Sequence, residues 1–481
     1  MAAKTTLNAK NLEALGTRRL AELLMEIGAR DASVGDLLRL ELAGTKSPAR
    51  AAREIRNQMT AMRGSRSFHD WNESPALAGE LDTLRWAIVE RVAHADAAEG
   101  LDLMWDFMEL ADSVFEYCDD SGGSVGAVFR AAREDLGEIA HAAKPDPALL
   151  AGRTFGAITN NGYGQYDGLI GILQPALGQV GLECLKQRVT EFSGTSATQP
   201  ADKDSPGKVF GLSGSISEDE WRERRWLSIA SIALRDIADA QDDVDGYIAQ
   251  YDKDTRKFPR IAAQIARRLL SAGRAEQALH MLDAAVREDA ADWRWCDCEW
   301  EDVRIRVLEA LERNDQAQQV RLGCFERFLS IPHLRAYLER LADDQSVKAQ
   351  EKAFDYAQEF QHRLAALDFF VSWPALDRAS RLVVEHANSL DGDRYETLAP
   401  TAIALMPDYP LAATLVLRAQ IDHTLGRGKS TRYRYAVRDL SKCSSLSRNI
   451  GDFQSYESHD AYVRRLRRDH GRKRSFWAMI N

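Results

Sequence analysis

The chain has 481 residues, 45% of them apolar and 28% charged, with a formal net charge of −10 and a pI near 5.6. That is the composition of a folded soluble protein, and its acidity argues against global steering toward nucleic acid or an anionic membrane, leaving such roles to local patches. No run of 18 apolar residues occurs and MAAKTTLNAKNLEALG lacks an apolar signal core, so a cytoplasmic protein without a membrane span is expected.

Helical periodicity runs almost throughout, carried by Ala, Leu, Arg and Glu, and strand-like alternation is scarce. Leu12, Leu15, Leu20, Leu23, Leu24 and Ile27 predict an opening helix or helix pair. Further helices are predicted over roughly 31–42, 47–63, 77–95, 98–117, 124–142, 146–159 and 166–191. Residues 193–218 are rich in Ser, Gly, Pro and Asp and have little to bury, so they read as a linker or long loop. Ser217 with Asp219 and Glu220 suits the next helix start. The expected organisation is an N-terminal helical segment 1–192, the linker, and a C-terminal segment 219–481.

The second half is more regular. Phe258, Ile261, Ala262, Ile265, Ala266, Leu269 and Leu270 form one apolar stripe, Gly273 breaks it, and Ala275, Ala278, Leu279, Leu282 and Val286 form the next. Positions −11, −7 and −3 from Gly273 are Ala262, Ala266 and Leu270. The same count from Asn314 finds Val303, Val307 and Leu311, and from Gly428 it finds Leu417, Ile421 and Leu425. Ala230, Leu234 and Ala238 precede a turn at Gln241-Asp242-Asp243 in the same way. One hairpin cannot bury its own apolar face, so stacked pairs share a core between them. The prediction is an all-α solenoid of tetratricopeptide- or HEAT-like hairpins in two segments.

Several motifs invite chemistry. Gly428-Lys429-Ser430 ends like a P-loop, but the required glycine five residues earlier is His423 and the preceding segment reads as helix, so a hairpin turn is expected. Cys296-x-Cys298 sits among tryptophans. A structural zinc site needs two more ligands, and the SWIM zinc finger takes them from a later C-x-H. Here Cys324 is followed by Phe-Glu and Cys443 by Ser-Ser, so buried thiols are expected instead. With Cys118 and Cys184 these make six scattered cysteines, which suits reduced thiols. DAQDDVDG, 239–246, lacks the acid and glutamate positions of a calcium loop and reads as capping residues about a turn. No catalytic signature is found, and neither a metal nor a cofactor is expected.

Charge is distributed unevenly. Asp102, Asp106, Glu109, Asp112 and Glu116 make an acidic ridge on one predicted helix, with Met104, Trp105, Phe107, Met108 and Phe115 on its other face. Lys46, Arg50, Arg53, Arg56, Arg63 and Arg66 make a basic counterpart. The two helices either attract each other within the fold or edge a docking groove. The chain closes with Arg464, Arg465, Arg467, Arg468, Arg472, Lys473 and Arg474, followed by Phe476, Trp477, Met479 and Ile480. This is either a surface for nucleic acid or an apolar plug that caps the last repeat.

The tail from Tyr462 to Trp477, with its R-x-x-H-G-R-K-R-S-F-W run, resembles that of a poorly characterised bacterial family of long helical proteins. The stretches TTLNAKNLEALGTRRLAELLMEI and YGQYDGLIGILQPALGQVGLECLK resemble the same family, whose helical regions are related to those that follow SWIM zinc fingers. The resemblance implies an all-helical fold and a bacterial cytosolic setting and transfers no site residue. The function expected is a non-enzymatic scaffold that binds a protein or peptide, with the acidic ridge and the basic-aromatic tail as candidate contact residues. The alternatives are nucleic-acid association through the tail and an enzyme with a composite site between the segments.

Overall fold

The computed structural model describes residues 7–30, 34–35, 37–39, 42, 47–64, 67–196, 208–211, 214–285 and 299–480. They are almost wholly helical, and no described helix is long and apolar enough to cross a membrane. One antiparallel pairing, β1 (Lys208–Gly211) with β2 (Gly214–Ser217), lies inside the stretch read as a linker. The chain divides into two compact units, Met1–Asp252 and Lys253–Asn481.

The first unit begins with α1 (Ala9–Glu13) and α2 (Thr17–Arg30), followed by α3 (Pro48–Gly64), α4 (Ser74–Ala87), α5 (Ala97–Met108) and α6 (Leu110–Glu116). Its remaining helices are α7 (Ser124–Ala143), α8 (Pro147–Thr159), α9 (Leu169–Ser196), α10 (Glu218–Ala240) and α11 (Val244–Ala249). The apolar face read at 104–108 is its centre: Met104, Trp105, Phe107 and Met108 are buried, and Phe107 meets Phe129 of α7 at 5.5 Å between ring centroids. Helix α9 bends at Gly178 (φ +54°), three residues after Pro175, which cannot donate into the helical ladder. Helix α10, which composition assigns to the second segment, packs back on α9. Its Ala230, Ala233, Ile237 and Ala240 join the first unit's core, and Gln174 donates to the Ala240 carbonyl at 2.9 Å.

The second unit runs through α12 (Pro259–Ser271), α13 (Ala275–Asp283), α14 (Glu299–Ala310), α15 (Asn314–Phe328), α16 (Ile331–Leu338) and α17 (Asp343–Gln358). It continues with α18 (Arg363–Ser372), α19 (Leu376–His386), α20 (Tyr395–Leu405), α21 (Pro410–Gly426), α22 (Tyr433–Leu446), α23 (His459–His470) and α24 (Arg474–Trp477). Packing is chiefly between helices adjacent or next but one in sequence: α12 with α13 and α14, α19 with α20 and α21, α21 with α22.

The four turns read from sequence share one backbone device. Each holds a left-handed residue: Asp242 (φ +55°), Gly273 (+72°), Glu312 (+58°) and Gly428 (+65°). In each, the next amide reaches back five residues: Asp243 to Ala238 and Arg274 to Leu269 at 2.8 Å, Arg313 to Leu308 at 2.9 Å and Lys429 to Thr424 at 3.1 Å. The left-handed residue's own amide bonds three residues back. This is the Schellman termination, which satisfies carbonyls that the helix end leaves open. Counted from the left-handed residue, the position four before is buried in every case (Ala238, Leu269, Leu308, Thr424), and so is the position five after (Tyr247, Ala278, Ala317, Tyr433). Counting from Asn314 therefore sets that hairpin two residues out of register. The turn residue is Glu312, and Asn314 already begins α15.

Candidate functional site

The acidic ridge is engaged within the first unit. Asp102 and Asp106 lie on α5, and Asp112 and Glu116 on α6. The single helix expected there is broken at Glu109, whose ψ of −14° turns the chain out of the α5 axis. Arg56 of α3 donates to Glu99 at 2.6 Å and stands 3.9 Å from Asp106. Arg63 donates to the Asp106 carbonyl at 2.9 Å and approaches Glu109 at 3.4 Å. Arg153 of α8 pairs with Asp102 and lies over the Trp105 ring, and Asp112 accepts from Asn160 and Gln165. Burial, with Glu109 and Asp112 nearby, pushes the Tyr166 hydroxyl well above its ordinary range, so it stays neutral. Glu116 remains exposed. Thus α3 and the ridge attract each other, the first of the two relations their charges allow. Lys46 and Arg66 lie outside the described residues.

The other sequence candidates resolve differently. Lys429, of the P-loop-like tripeptide, donates to Asp393 at 2.7 Å, and Arg432 donates to the same oxygen at 3.0 Å. These cations hold the Asp393 carboxyl below its ordinary range. Asp243 caps α11 by accepting from the Gly246 amide at 2.8 Å. Cys296 and Cys298 lie outside the described residues. Cys324 and Cys443 are buried thiols, and burial pushes Cys443 up to about 12.

The tail closes the second unit. Tyr462, Leu466 and Phe476 are fully buried, Phe476 sets its edge against Tyr433 at 5.8 Å, and Trp477 donates to the His470 carbonyl at 3.0 Å. Only one of its seven cations turns inward: Arg465 donates to Asp422 at 2.9 Å and to Glu457 at 2.8 Å. Arg468 pairs with its neighbour Asp469, and Arg467 lies over the Trp477 ring. Arg464, Arg472 and Arg474 are exposed and Lys473 is half-buried.

Beside Arg465 opens a polar cleft of about 710 Å³, framed by Asp391, Arg418, Asp422, His423, Glu457 and Tyr462. Its floor is α21. Arg418, 6% exposed, lies 4.4 Å over the Tyr462 ring and donates to the Glu457 carbonyl at 2.7 Å. Desolvation lowers its pKa, yet it stays charged because an arginine starts so high. The Tyr462 hydroxyl donates to Asp422 at 3.1 Å, and burial with Asp422 nearby keeps it protonated. The opposite wall is set by Gly392. A Cβ there would lie 2.1 Å from the Ala419 carbonyl oxygen, so only glycine lets the Asp391–Asp393 loop lie flat on α21. The cleft therefore presents both signs of charge from side chains held by their neighbours.

Residues 2–479 match the family of unknown function DUF6880. The chain belongs to that family. No curated protein matches the chain. Membership in DUF6880 covers both units and the tail but assigns no site, so the cleft rests on geometry alone. Sequence reading singled out Arg465 and missed Asp391, Gly392, Arg418, Asp422, Glu457 and Tyr462 as a group. They come from stretches up to about seventy residues apart, and no spacing rule joins them. The legible signal was Arg418, the sole basic residue within the apolar run of α21.

Proposed function

We propose that this DUF6880 member is a non-enzymatic helical-repeat scaffold, tetratricopeptide- or HEAT-like in its second unit, acting in the bacterial cytosol and binding a protein or peptide segment in the cleft over α21. The observation that carries the reading is the shared Schellman turn, with buried positions at fixed offsets on either side. Such a plan places each helix pair against the next and leaves open surface along the array. The cleft suits an extended polar segment rather than an apolar helix. Its walls carry three acids, two arginines and a histidine, and its arginines are already fixed by Glu457 and Asp422, so little side-chain ordering remains when a ligand enters.

The test is to pan a random peptide library against the full chain, then measure the enriched peptides by fluorescence anisotropy. Ser455→Trp is the occluding variant, since Ser455 is exposed and lines the cleft. The expected result is an enriched motif whose binding falls at least tenfold in Ser455→Trp. No enrichment, or equal binding by the variant, overturns the proposal.

A further inference from the structure

Residues 410–481 hold 15 Lys and Arg against six Asp and Glu, a net of +9 in a chain whose total is −10. Ion pairs take up six of these fifteen cations, two of them, Lys429 and Arg432, through Asp393. Asp422 and Glu457 share Arg465, Asp439 lies between Arg438 and Lys442, and Asp469 faces Arg468. Arg464, Arg467, Arg472 and Arg474 are exposed and meet no carboxylate among the described residues.

Their placement is fixed by the apolar side of α23. Tyr462 and Leu466 are fully buried, which leaves Arg464, Arg467 and Arg468 together on the solvent side at three- and four-residue spacing. The helical rise sets Arg464 and Arg468 about 6 Å apart along the axis. The stripe continues through Arg472 and Arg474, held by the Phe476 anchor. It then meets a second basic segment: the Lys473 ammonium lies beside Gly428, next to the exposed Arg427.

We propose that this face binds the phosphate backbone of nucleic acid without reading its sequence. Guanidinium groups offer paired donors that match phosphate oxygens, and phosphates recur about every 3.4 Å of rise along a strand, so the stripe meets several at once. A membrane surface fits less well, because the apolar face an interfacial helix inserts is here buried in the unit's own core. Arg464, Arg467, Arg472 and Arg474 line no part of the peptide cleft, so this binding does not draw on the cleft's side chains.

The test uses the full chain and fluorescein-labelled 20-mers of single-stranded RNA, single-stranded DNA and duplex DNA, read by anisotropy between 50 and 300 mM salt. Arg464→Gln/Arg472→Gln/Arg474→Gln removes three cations that hold nothing inside the fold, and circular dichroism checks that it remains helical. Arg260→Gln/Lys348→Gln/Lys352→Gln makes the same charge change elsewhere in the unit. The expected result is salt-sensitive binding that the first variant weakens at least tenfold at 50 mM salt and the second leaves within twofold. The slope of log affinity against log salt falls by about two to three in the first variant. No binding at 50 mM salt, or equal losses in both variants, overturns the proposal. So does binding to anionic phospholipid vesicles without binding to any oligonucleotide, which assigns the face to membranes.

Discussion

Replacing Gly273 with alanine tests whether the left-handed turn, rather than the apolar stripe, sets the hairpin. Gly273 sits at φ +72°, and a Cβ built there meets no atom within 4 Å. Crowding therefore contributes nothing, and the whole cost is backbone. An L-residue in this region costs roughly 1–2 kcal/mol. Against that, alanine reduces the freedom of the unfolded chain, which returns about 0.4–1 kcal/mol. The net expectation is a loss of about 1 kcal/mol, or roughly 0.3–0.5 M in urea midpoint for a unit of this size. Gly323 supplies the control. It too meets nothing within 4 Å, but it lies in the exposed face of α15 with ordinary helical geometry. Gly323→Ala is expected to stabilise by about 0.5–1 kcal/mol. Both are measured by urea unfolding followed at 222 nm, with amide exchange in α12 and α13 to localise the first. A neutral Gly273→Ala, or equal losses at both sites, would refute the reasoning.

The same logic, run the other way, makes Glu312→Gly stabilising by about 0.5–1 kcal/mol, since Glu312 is exposed and carries the left-handed φ without a glycine's freedom; a lower urea midpoint contradicts this. Arg321 is buried on α15 and pairs with Glu309, so Glu309→Ala strands its charge and is expected to cost about 2–3 kcal/mol, while Arg321→Met costs less; thermal melts of the two variants compare them. Gly392→Ala drives the Asp391–Asp393 loop off α21 and is expected to weaken peptides bound in the cleft more than it lowers the melting temperature, a split read by anisotropy and calorimetry on one preparation. His459 is desolvated and lies near Arg418, and both lower its pKa in the fold. The unfolded chain therefore takes up the proton more readily, and this group's contribution is present above pH 6.5 and lost as pH falls through its lower folded value. The urea midpoint should drop between pH 7 and pH 5 by less in His459→Gln than in the parent.

How much of this was legible in the sequence follows from how local each signal is. The helices were readable because their stripes repeat every three or four residues. The turns were readable as places, and in register at Gly273 and Gly428; elsewhere register was hidden, because the left-handed position accepts Asp242 and Glu312 as well as glycine, and only φ reveals it. Counting from Asn314 followed residue type where backbone geometry decided. The end of the first unit was hidden for another reason: composition changes at 193, yet α10 returns to bury Ala230, Ala233 and Ile237 against the earlier helices. Alanines at such a contact look no different from alanines in any helix. The pairing of α3 with the acidic ridge was open to sequence only as one of two relations, since charge says that helices attract and not whether they already meet.

The tail shows how one short segment holds both an apolar cap and a basic surface. An apolar cap and a basic surface looked like competing readings because they draw on interleaved residues. On a helix they separate by face. Tyr462, Leu466 and Phe476 close the core, and in doing so they fix which arginines turn outward. Arg465, on the boundary between the faces, is drawn in by Asp422 and Glu457 and becomes a wall of the cleft. Arg464, Arg472 and Arg474 are exposed and meet no carboxylate among the described residues. The chain's acidic total does not cancel them, because at physiological salt charges interact over about 8 Å, and residues 410–481 carry a net +9 of their own. The capping role therefore creates the conditions for the proposed binding role, and a tail shortened before Phe476 should lose both together.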